Sequence, residues 1–244
     1  MAYSTDRVLQ SYLEDFGAGG EIYAQPDMLL NDYFALVNSN IASGKTDAFI
    51  AETIVIQSVI NLDGAVRNHA TITRTHNGKD QKDWWYNKQN KNYFQLFTPL
   101  GTTLIAIDGH DGRTHPELRT NTLGTRDEDL VAIEDTAVWL PQFRVEQSLQ
   151  FGKTVFANYL TTPPGETRSL TFDYELPKKI PLDAERELNY RFIFERQSGS
   201  TATFSYRITA PQGFFWQESD SPEFAFVTSN PDRRMILDLT LLQR

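Results

Sequence analysis

Ser39, Gly44, Lys45 and Thr46 come nearest, by type and spacing, to a known chemistry, that of phosphate binding. A phosphate-binding loop opens on Gly, because the chain must turn sharply and bring backbone N–H groups onto the anion. Here Ser39 holds that position. The loop also requires a helix starting at Lys45-Thr46, with its N-terminus facing the phosphate. The residues that follow are Ala48-Phe49-Ile50-Ala51-Glu52-Thr53-Ile54-Val55-Ile56, and all but the first few are β-branched or flanked by β-branched residues. Such side chains are stiff at χ1 and favour strands. We therefore expect an extended strand after Lys45, with 38–47 a polar connection between strands. Under the rival reading, a nucleotide hydrolase would use Lys45, Thr46 and a magnesium-binding Asp108 at the end of the apolar run 104–107.

Other residues invite metal or acid–base readings. His110-Asp111-Gly112-Arg113-Thr114-His115, with Asp108 ahead of it, places two imidazoles and two carboxylates within one loop, as zinc would need. Asp108, Asp111 and Gly112 also bring to mind an oxygen-rich calcium loop, although the EF-hand spacing and terminal Glu are missing. Exposed loop histidines are the simpler account, so we expect no cofactor, with zinc or calcium as the metals to test. Glu128-Asp129, Glu134-Asp135 and Glu218/Asp220 are carboxylate pairs of the kind a glycan hydrolase uses across a cleft. No Gly-x-Ser-x-Gly elbow is present. Trp84-Trp85-Tyr86, in the polar stretch 76–91, is the best candidate binding surface, since exposed aromatics anchor interfaces and stack on sugar faces.

The elements that must position these residues follow from composition and periodicity. The chain has 244 residues, 40% hydrophobic, with a net charge of −9. That is enough apolar content for a packed core. The acidic balance argues against a nucleic-acid partner, which needs a basic face. There is no cysteine, so disulfides, thiolate metal sites and a Cys nucleophile are excluded. No apolar run is long enough to span a bilayer and no signal peptide is present, so we expect any anchor to lie upstream of this chain.

Val8, Leu9, Tyr12, Leu13 and Phe16 recur at helical spacing behind cap candidates Ser4-Thr5-Asp6, and Gly17 with Gly19-Gly20 would stop the helix. From Asp32 the period becomes two. Residues 53–60 and 65–75 flank Asp63-Gly64 as a long hairpin, with Val66, Asn68, Ala70, Ile72 and Arg74 on one face. Further strands are expected at 92–97, 102–108, 130–134, 137–140, 143–149, 153–160, 167–176, 187–196, 201–209, 223–228 and 235–242. Phe214-Phe215-Trp216 is expected to plug a sandwich end. The result is an all-β fold: an antiparallel β-sandwich, one large or two small, behind a short amphipathic N-terminal helix. We divide it into 1–31, a helix and linker left from an upstream region; 32–148, a first β-rich region with two polar insertions; and 149–244, a second β-rich region in the same sandwich or another.

The same residues carry a family resemblance. Tyr33-Phe34-Ala35-Leu36-Val37-Asn38-Ser39-Asn40, Gly44-Lys45-Thr46-Asp47, Asp63-Gly64 and Ala70-Thr71-Ile72-Thr73 resemble the closing section of bacterial domain-of-unknown-function family 4012. Asn92-Tyr93-Phe94-Gln95-Leu96-Phe97-Thr98-Pro99 and Pro163-Pro164-Gly165-Glu166-Thr167 are similar to the β-rich region that follows it. Stretches 76–91 and 109–127 depart from that pattern. The resemblance implies an outward-facing part of a membrane-anchored bacterial envelope protein, without its anchor, in an extracytoplasmic location. Implied partners are other envelope proteins or surface glycan, with membrane contact only through the absent segment. No activity is established for that family, so no catalytic residue is implied. Asn38, Asn40, Gly44, Lys45, Thr46 and Asp47 would be its fingerprint. We expect a structural purpose for them, with Lys45 paired to Asp47 or a nearby carboxylate. The expected function is thus a non-catalytic module for scaffolding or for partner or glycan interaction. The alternative is an enzyme, either the degenerate-loop nucleotide hydrolase or a carboxylate-based glycan hydrolase.

Overall fold

Alternation of inward and outward side chains governs the whole chain. The computed structural model describes residues 4–15, 22–23, 31–41, 44–113, 127–183 and 187–243. Helix α1 (Arg7–Asp15) is followed by β1 (Asn31–Asn40), a one-turn 3-10 helix (Thr46–Phe49), β2 (Ile50–Ile60), β3 (Val66–His76), β4 (Asn90–Pro99) and β5 (Thr103–Asp108). Then come α2 (Glu128–Glu134), β6 (Val138–Leu140), β7 (Val145–Gln150), β8 (Lys153–Thr162) and β9 (Thr167–Glu175). The chain ends with β10 (Glu187–Arg196), β11 (Thr203–Thr209), β12 (Phe214–Trp216), β13 (Glu223–Thr228) and β14 (Arg234–Gln243).

These strands build two sheets, in the orders β12-β14-β10-β1-β4-β8-β7-β6 and β13-β11-β2-β3-β9-β5. Their inner faces pack as one sandwich. Phe34, Phe94, Phe156 and Phe192 of the larger sheet meet Ile54, Ile72, Phe172 and Tyr206 of the smaller. Phe192 stacks on Tyr206 at 4.0 Å and Phe194 on Phe204 at 4.1 Å, adding aromatic contact to the buried apolar area. Both halves of the chain contribute to both sheets, so the two β-rich regions share a single sandwich.

Two pairings depart from the expected antiparallel pattern. β1 runs parallel to β10, and β2 runs parallel to β11. The reason is topological. The chain crosses from the larger sheet to the smaller between β1 and β2, and crosses again between β10 and β11. The two crossings travel side by side, so the strands on either side of them align.

The hairpin 50–76 follows its alternation: Val66, Asn68, Ala70, Ile72, Arg74 and His76 face inward on β3. Two local expectations are corrected, and a third segment takes a definite form. Residues 130–134 belong to helix α2, because Asp127 caps the turn, its Oδ1 accepting from Leu130 N at 3.3 Å. Asn38–Asn40 continue β1 rather than open the connection, since Asn38 and Asn40 remain paired with Phe94 and Asn92 of β4. Phe214-Phe215-Trp216 forms the short edge strand β12, with Trp216 fully buried near Tyr190.

Asp6 caps α1 through Val8 N and Leu9 N, and Val8, Leu9 and Tyr12 are exposed. Phe16 and the glycines expected to end the helix lie outside the described residues. Beyond the core, Tyr33, Ala35, Phe97, Val155 and Ile193 form a second apolar cluster on the outer face of the larger sheet, with Ile22 and Tyr23 against it.

Candidate functional site

Residues 44–49 of the crossing between β1 and β2 are held by side chains from three strands. On β1, Asn40 Nδ2 donates to the Gly44 carbonyl and to Thr46 Oγ1, both at 3.0 Å. On β4, Asn90 Nδ2 donates to the same Thr46 Oγ1 at 2.9 Å and to Asp47 Oδ1 at 2.7 Å. On β3, Arg74 donates through Nη2 to Asp47 at 3.3 Å and through Nη1 to Glu52 of β2. Asn38 Nδ2 also donates to Glu52 Oε2 at 2.9 Å, and Asn92 Nδ2 to Asn38 Oδ1 at 2.7 Å. Gln197, just after β10, exchanges two amide hydrogen bonds with the backbone of Asn38, at 2.8 and 3.0 Å, and so extends the ladder where β10 ends.

This network answers the phosphate-loop question. A single 3-10 turn begins at Thr46 and gives way to strand at Ile50, so no helix aims N–H groups at an anion. Thr46 is fully buried and its hydroxyl already receives two amides. Lys45 spends its backbone N–H on the Trp85 carbonyl at 2.9 Å. Asp108 lies three strands from Val55 of β2, through Thr171 and Thr71, or about 14 Å at the usual strand spacing, and Val55 is itself well along β2 from Thr46. The expected pairing of Lys45 with Asp47 is also absent: Lys45 is exposed, and Asp47 bonds to Arg74 and Asn90.

A cleft of about 200 Å³ opens between the two crossings. Asn38, Asp47, Glu52, Arg74 and Gln197 line it, with 198–201 as its far wall. Arg74 and Glu52 form a buried ion pair at its base, with side chains 4% and 7% exposed. A shallower hollow containing Phe49 shares Ile50, Glu52 and Thr201 with the cleft.

Beside this hollow lies the aromatic loop. Tyr86 meets Phe49 edge-on at 5.0 Å, Trp85 meets Tyr86 at 6.0 Å and Trp84 meets Trp85 at 5.7 Å. Lys88 Nζ sits 4.0 Å from the Trp84 ring, and Trp84 is 53% exposed. The rings are tilted about 70° to one another, so they do not form the coplanar platform a flat glycan surface would need; Trp84 alone projects. His76, expected in an exposed loop, is buried at the end of β3, bonding the Lys88 carbonyl at 2.8 Å and Gly78 N at 3.0 Å.

Of the metal candidates, Asp108, His110 and Asp111 are described, and the latter two are engaged by neighbouring groups. Asp111 serves as a pseudo-strand, accepting from Thr161 N at 3.1 Å and Thr161 Oγ1 at 2.6 Å. His110 bonds the Arg144 carbonyl at 3.2 Å, and burial holds its imidazole below the usual range. Asp108 ends β5 and His115 lies outside the described residues. Among the described residues no group of three or more His, Asp or Glu side chains could hold a metal ion. Nor do the carboxylate pairs face each other across this cleft, whose carboxylates are Asp47 and Glu52.

One constellation escaped the sequence reading. On the outer face of the smaller sheet, Asp173 Oδ1 lies 2.6 Å from His69 Nδ1, and Thr71 Oγ1 lies 3.2 Å from His69 Nε2. A hydroxyl, a base and an orienting carboxylate are thus in line. Acyl transfer also needs N–H donors for an oxyanion. β3 is paired on both sides, with β2 and β9, so its backbone N–H groups are committed to ladders. His69 and Asp173 stand opposite each other on β3 and β9, and the trio serves as cross-strand pairing.

A further buried carboxyl, Asp32 of β1, accepts from Asn68 Nδ2 at 2.8 Å, Tyr190 OH at 3.0 Å and Tyr33 N at 2.7 Å. Burial pushes it up to about 7, against the pull of these donors. It ties the two sheets at mid-core.

No family model and no curated protein matches the chain. Two solved structures share features of its backbone. A Legionella pneumophila protein, whose nutrient-binding role is itself a proposal, is 10% identical with a TM-score of 0.43, over 88% of this chain and 72% of that one. An M1 zinc metallopeptidase from Deinococcus radiodurans is 12% identical with a TM-score of 0.36, over 79% of this chain. The chain spans 42% of that enzyme's length. Likenesses of this size assign neither a family nor an activity.

Proposed function

We propose that the chain is a non-catalytic β-sandwich binding module, and that it meets its partner through the end formed by the 41–49 crossing and the aromatic loop. The observation that carries this is the mounting of Trp84. It is the half-exposed end of a file of rings that begins at Phe49, and the loop is fastened by the Trp85 carbonyl to Lys45 N. A large ring on a fixed mount orders little on binding, which is the usual character of an interface anchor. Placement in a bacterial envelope, facing outward, with an envelope protein or surface glycan as partner, rests on the resemblance of 33–47 and the following hairpin to the family named above. Among the described residues no helix is long and apolar enough to cross a membrane.

The test is binding of wild type and Trp84→Ala to isolated envelope fractions and to an array of envelope glycans. Retention of wild type, weakened about tenfold or more in Trp84→Ala, is the expected result, the size being that of an aromatic hot spot. Absence of binding to both, or equal binding by the variant, sinks the proposal. Retention by protein-stripped glycan as opposed to envelope protein identifies the partner class.

A further inference from the structure

A strand at the edge of a sheet offers its outward backbone groups to another chain unless something blunts it. In the larger sheet both edges are short: β12 and β6 have three residues each. In the smaller sheet β5 is bulged, its pairing with β9 shifting between Leu104 and Ala106. Short edges and bulges are the usual protections against pairing with another chain. The remaining edge, β13, has neither. It is six residues long, pairs with β11 in one unbroken register, and contains no Pro, Lys or Arg.

Which backbone groups of β13 face outward follows from the ladder. Ala210 N donates to the Pro222 carbonyl at 2.8 Å, so that carbonyl turns toward β11. By alternation the N–H and C=O groups of Phe224, Phe226 and Thr228 turn the same way. Those of Glu223, Ala225 and Val227 turn outward. Glu223 is covered: Ser221 Oγ accepts from its N–H at 3.2 Å, and Ser219 Oγ donates to its carbonyl at 2.9 Å. The outward groups of Ala225 and Val227 bond to nothing among the described residues. The side chains around them are apolar. Val227 is 69% exposed on the outer face, and Phe224 and Phe226 pack only partly against the core on the inner one.

We propose that β13 is a self-association edge, pairing antiparallel with β13 of a second copy about a two-fold axis at Phe226. In that register Ala225 stands opposite Val227 of the second copy. Each exchanges its N–H and C=O with the other, so the open groups of both edges are satisfied together. Phe226 meets Phe226 of the second copy as a non-hydrogen-bonded pair, where side chains lie closest, and the two half-covered rings close over each other. Glu223, the one charge of the strand, faces Ser229 of the second copy and not another carboxylate. A longer peptide strand would need the Glu223 backbone, which the two serines hold. A second copy needs only Ala225 and Val227, and this favours it over an extended peptide. The edge does not involve Trp84, so failure of either proposal leaves the other intact.

The experiment is sedimentation equilibrium of the whole chain from about 1 µM to about 1 mM, in about 0.5 M sodium chloride to screen the repulsion between copies of net charge −9. The mass is expected to double as concentration rises, with a dissociation constant on the order of 0.1 mM, the weak class that a small interface gives. Ala225→Pro removes an outward N–H from each copy and leaves the β11 ladder whole, since Pro is tolerated on an edge strand. It is expected to raise the dissociation constant about tenfold or more. Ile105→Lys, on the bulged β5 edge, is expected to leave it unchanged. Hydrogen exchange reads the pairing without a variant. The Ala225 and Val227 amides of wild type are expected to exchange about fivefold more slowly at the highest concentration than at the lowest, as the monomer fraction falls. A monomer over the whole range, an unaltered dissociation constant in folded Ala225→Pro, loss of the dimer in Ile105→Lys, or exchange at Ala225 and Val227 that ignores concentration overturns the proposal.

Discussion

Glu52 and Arg74 stand directly opposite each other on β2 and β3, both facing inward, and their charges meet inside the sandwich end. The pair joins neighbouring strands of one sheet, and through Asn38 and Asn90 it reaches across to β1 and β4 of the other. It is therefore a bolt between the sheets as well as a cross-strand pair.

Removing one partner leaves a buried charge uncompensated. Arg74→Met and Glu52→Leu are each expected to cost about 3–5 kcal/mol in urea unfolding. The double variant Glu52→Leu/Arg74→Met is expected to lose much less than the sum, since neither charge then remains alone. Additive losses would show that the two groups do not act as a pair.

Asp32 makes stability depend on pH in a defined window. Its folded value is raised to about 7 from 3.8, so the folded state holds the proton more tightly. The associated stability is fully present below pH 3.8 and is lost as pH rises through about 7, where the carboxyl must ionise in the core. The shift corresponds to about 4 kcal/mol at most, from 1.36 kcal/mol per pKa unit. Asp32→Asn keeps an acceptor for Asn68 and Tyr190 and cannot ionise. Its stability relative to wild type is expected to rise between pH 5 and 8, read from paired urea titrations. A constant difference across that range would mean that Asp32 does not titrate there.

Much of this was written in the alternation. Period-two patterning placed Asn68 and Arg74 on the inward face of β3, and a charged residue among inward positions is itself a signal of a buried partner. The partner was not legible. Glu52 becomes Arg74's opposite only through the register that the Asp63-Gly64 turn sets, and Asn38, Asn90 and Gln197 arrive from strands distant in sequence. The parallel pairs were hidden for the same reason, since no local pattern reports which strand a crossing lands beside. At 130–134, β-branched content favoured a strand, whereas the Asp127 cap and the absence of a pairing partner favoured a helix.

Thr46 and Lys45 divide sharply, as a structural crossing requires and a phosphate loop forbids. Thr46→Val leaves the amides of Asn40 and Asn90 with one acceptor fewer in a buried place, and is expected to cost about 1–3 kcal/mol. Lys45→Ala, on an exposed side chain without an ion pair, is expected to stay within about 0.5 kcal/mol of wild type. Magnesium with ATP is expected to leave the melting temperature of either protein unchanged. A shift present in wild type and missing in Lys45→Ala would revive the nucleotide reading.

Gly64 is set by close approach as well as by conformation. Its φ is +78°, and a Cβ built there would lie 2.0 Å from the Ile180 carbonyl oxygen. That carbonyl belongs to a segment bonded back to the turn through Ile180 N and the Gly64 carbonyl at 2.8 Å. Gly64→Ala must therefore displace backbone and adopt a strained φ together, and is expected to lower stability by more than about 1 kcal/mol, above the ordinary cost of one unfavourable φ. Gly152, with φ +69° and nothing near its Cβ position, is the control: Gly152→Ala should show the conformational cost alone.

Trp84 and Tyr86 belong to one file of rings but are expected to separate in function. Tyr86 packs on Phe49, and Phe49 closes the 3-10 turn of the 41–49 crossing. The same loop supplies the Trp85 carbonyl to Lys45 N and takes Asn77 N onto the Phe49 carbonyl at 2.8 Å. Tyr86→Ala removes the ring that holds these bonds in place, so the Lys45 and Asn77 amides should exchange with deuterium at least tenfold faster, as for a local opening made about 1.4 kcal/mol easier. Trp84→Ala removes a half-exposed ring at the far end of the file, and those amides should exchange as in wild type. Faster exchange in Trp84→Ala would mean that Trp84 holds the loop in place, and its exposure would then carry no information about a partner.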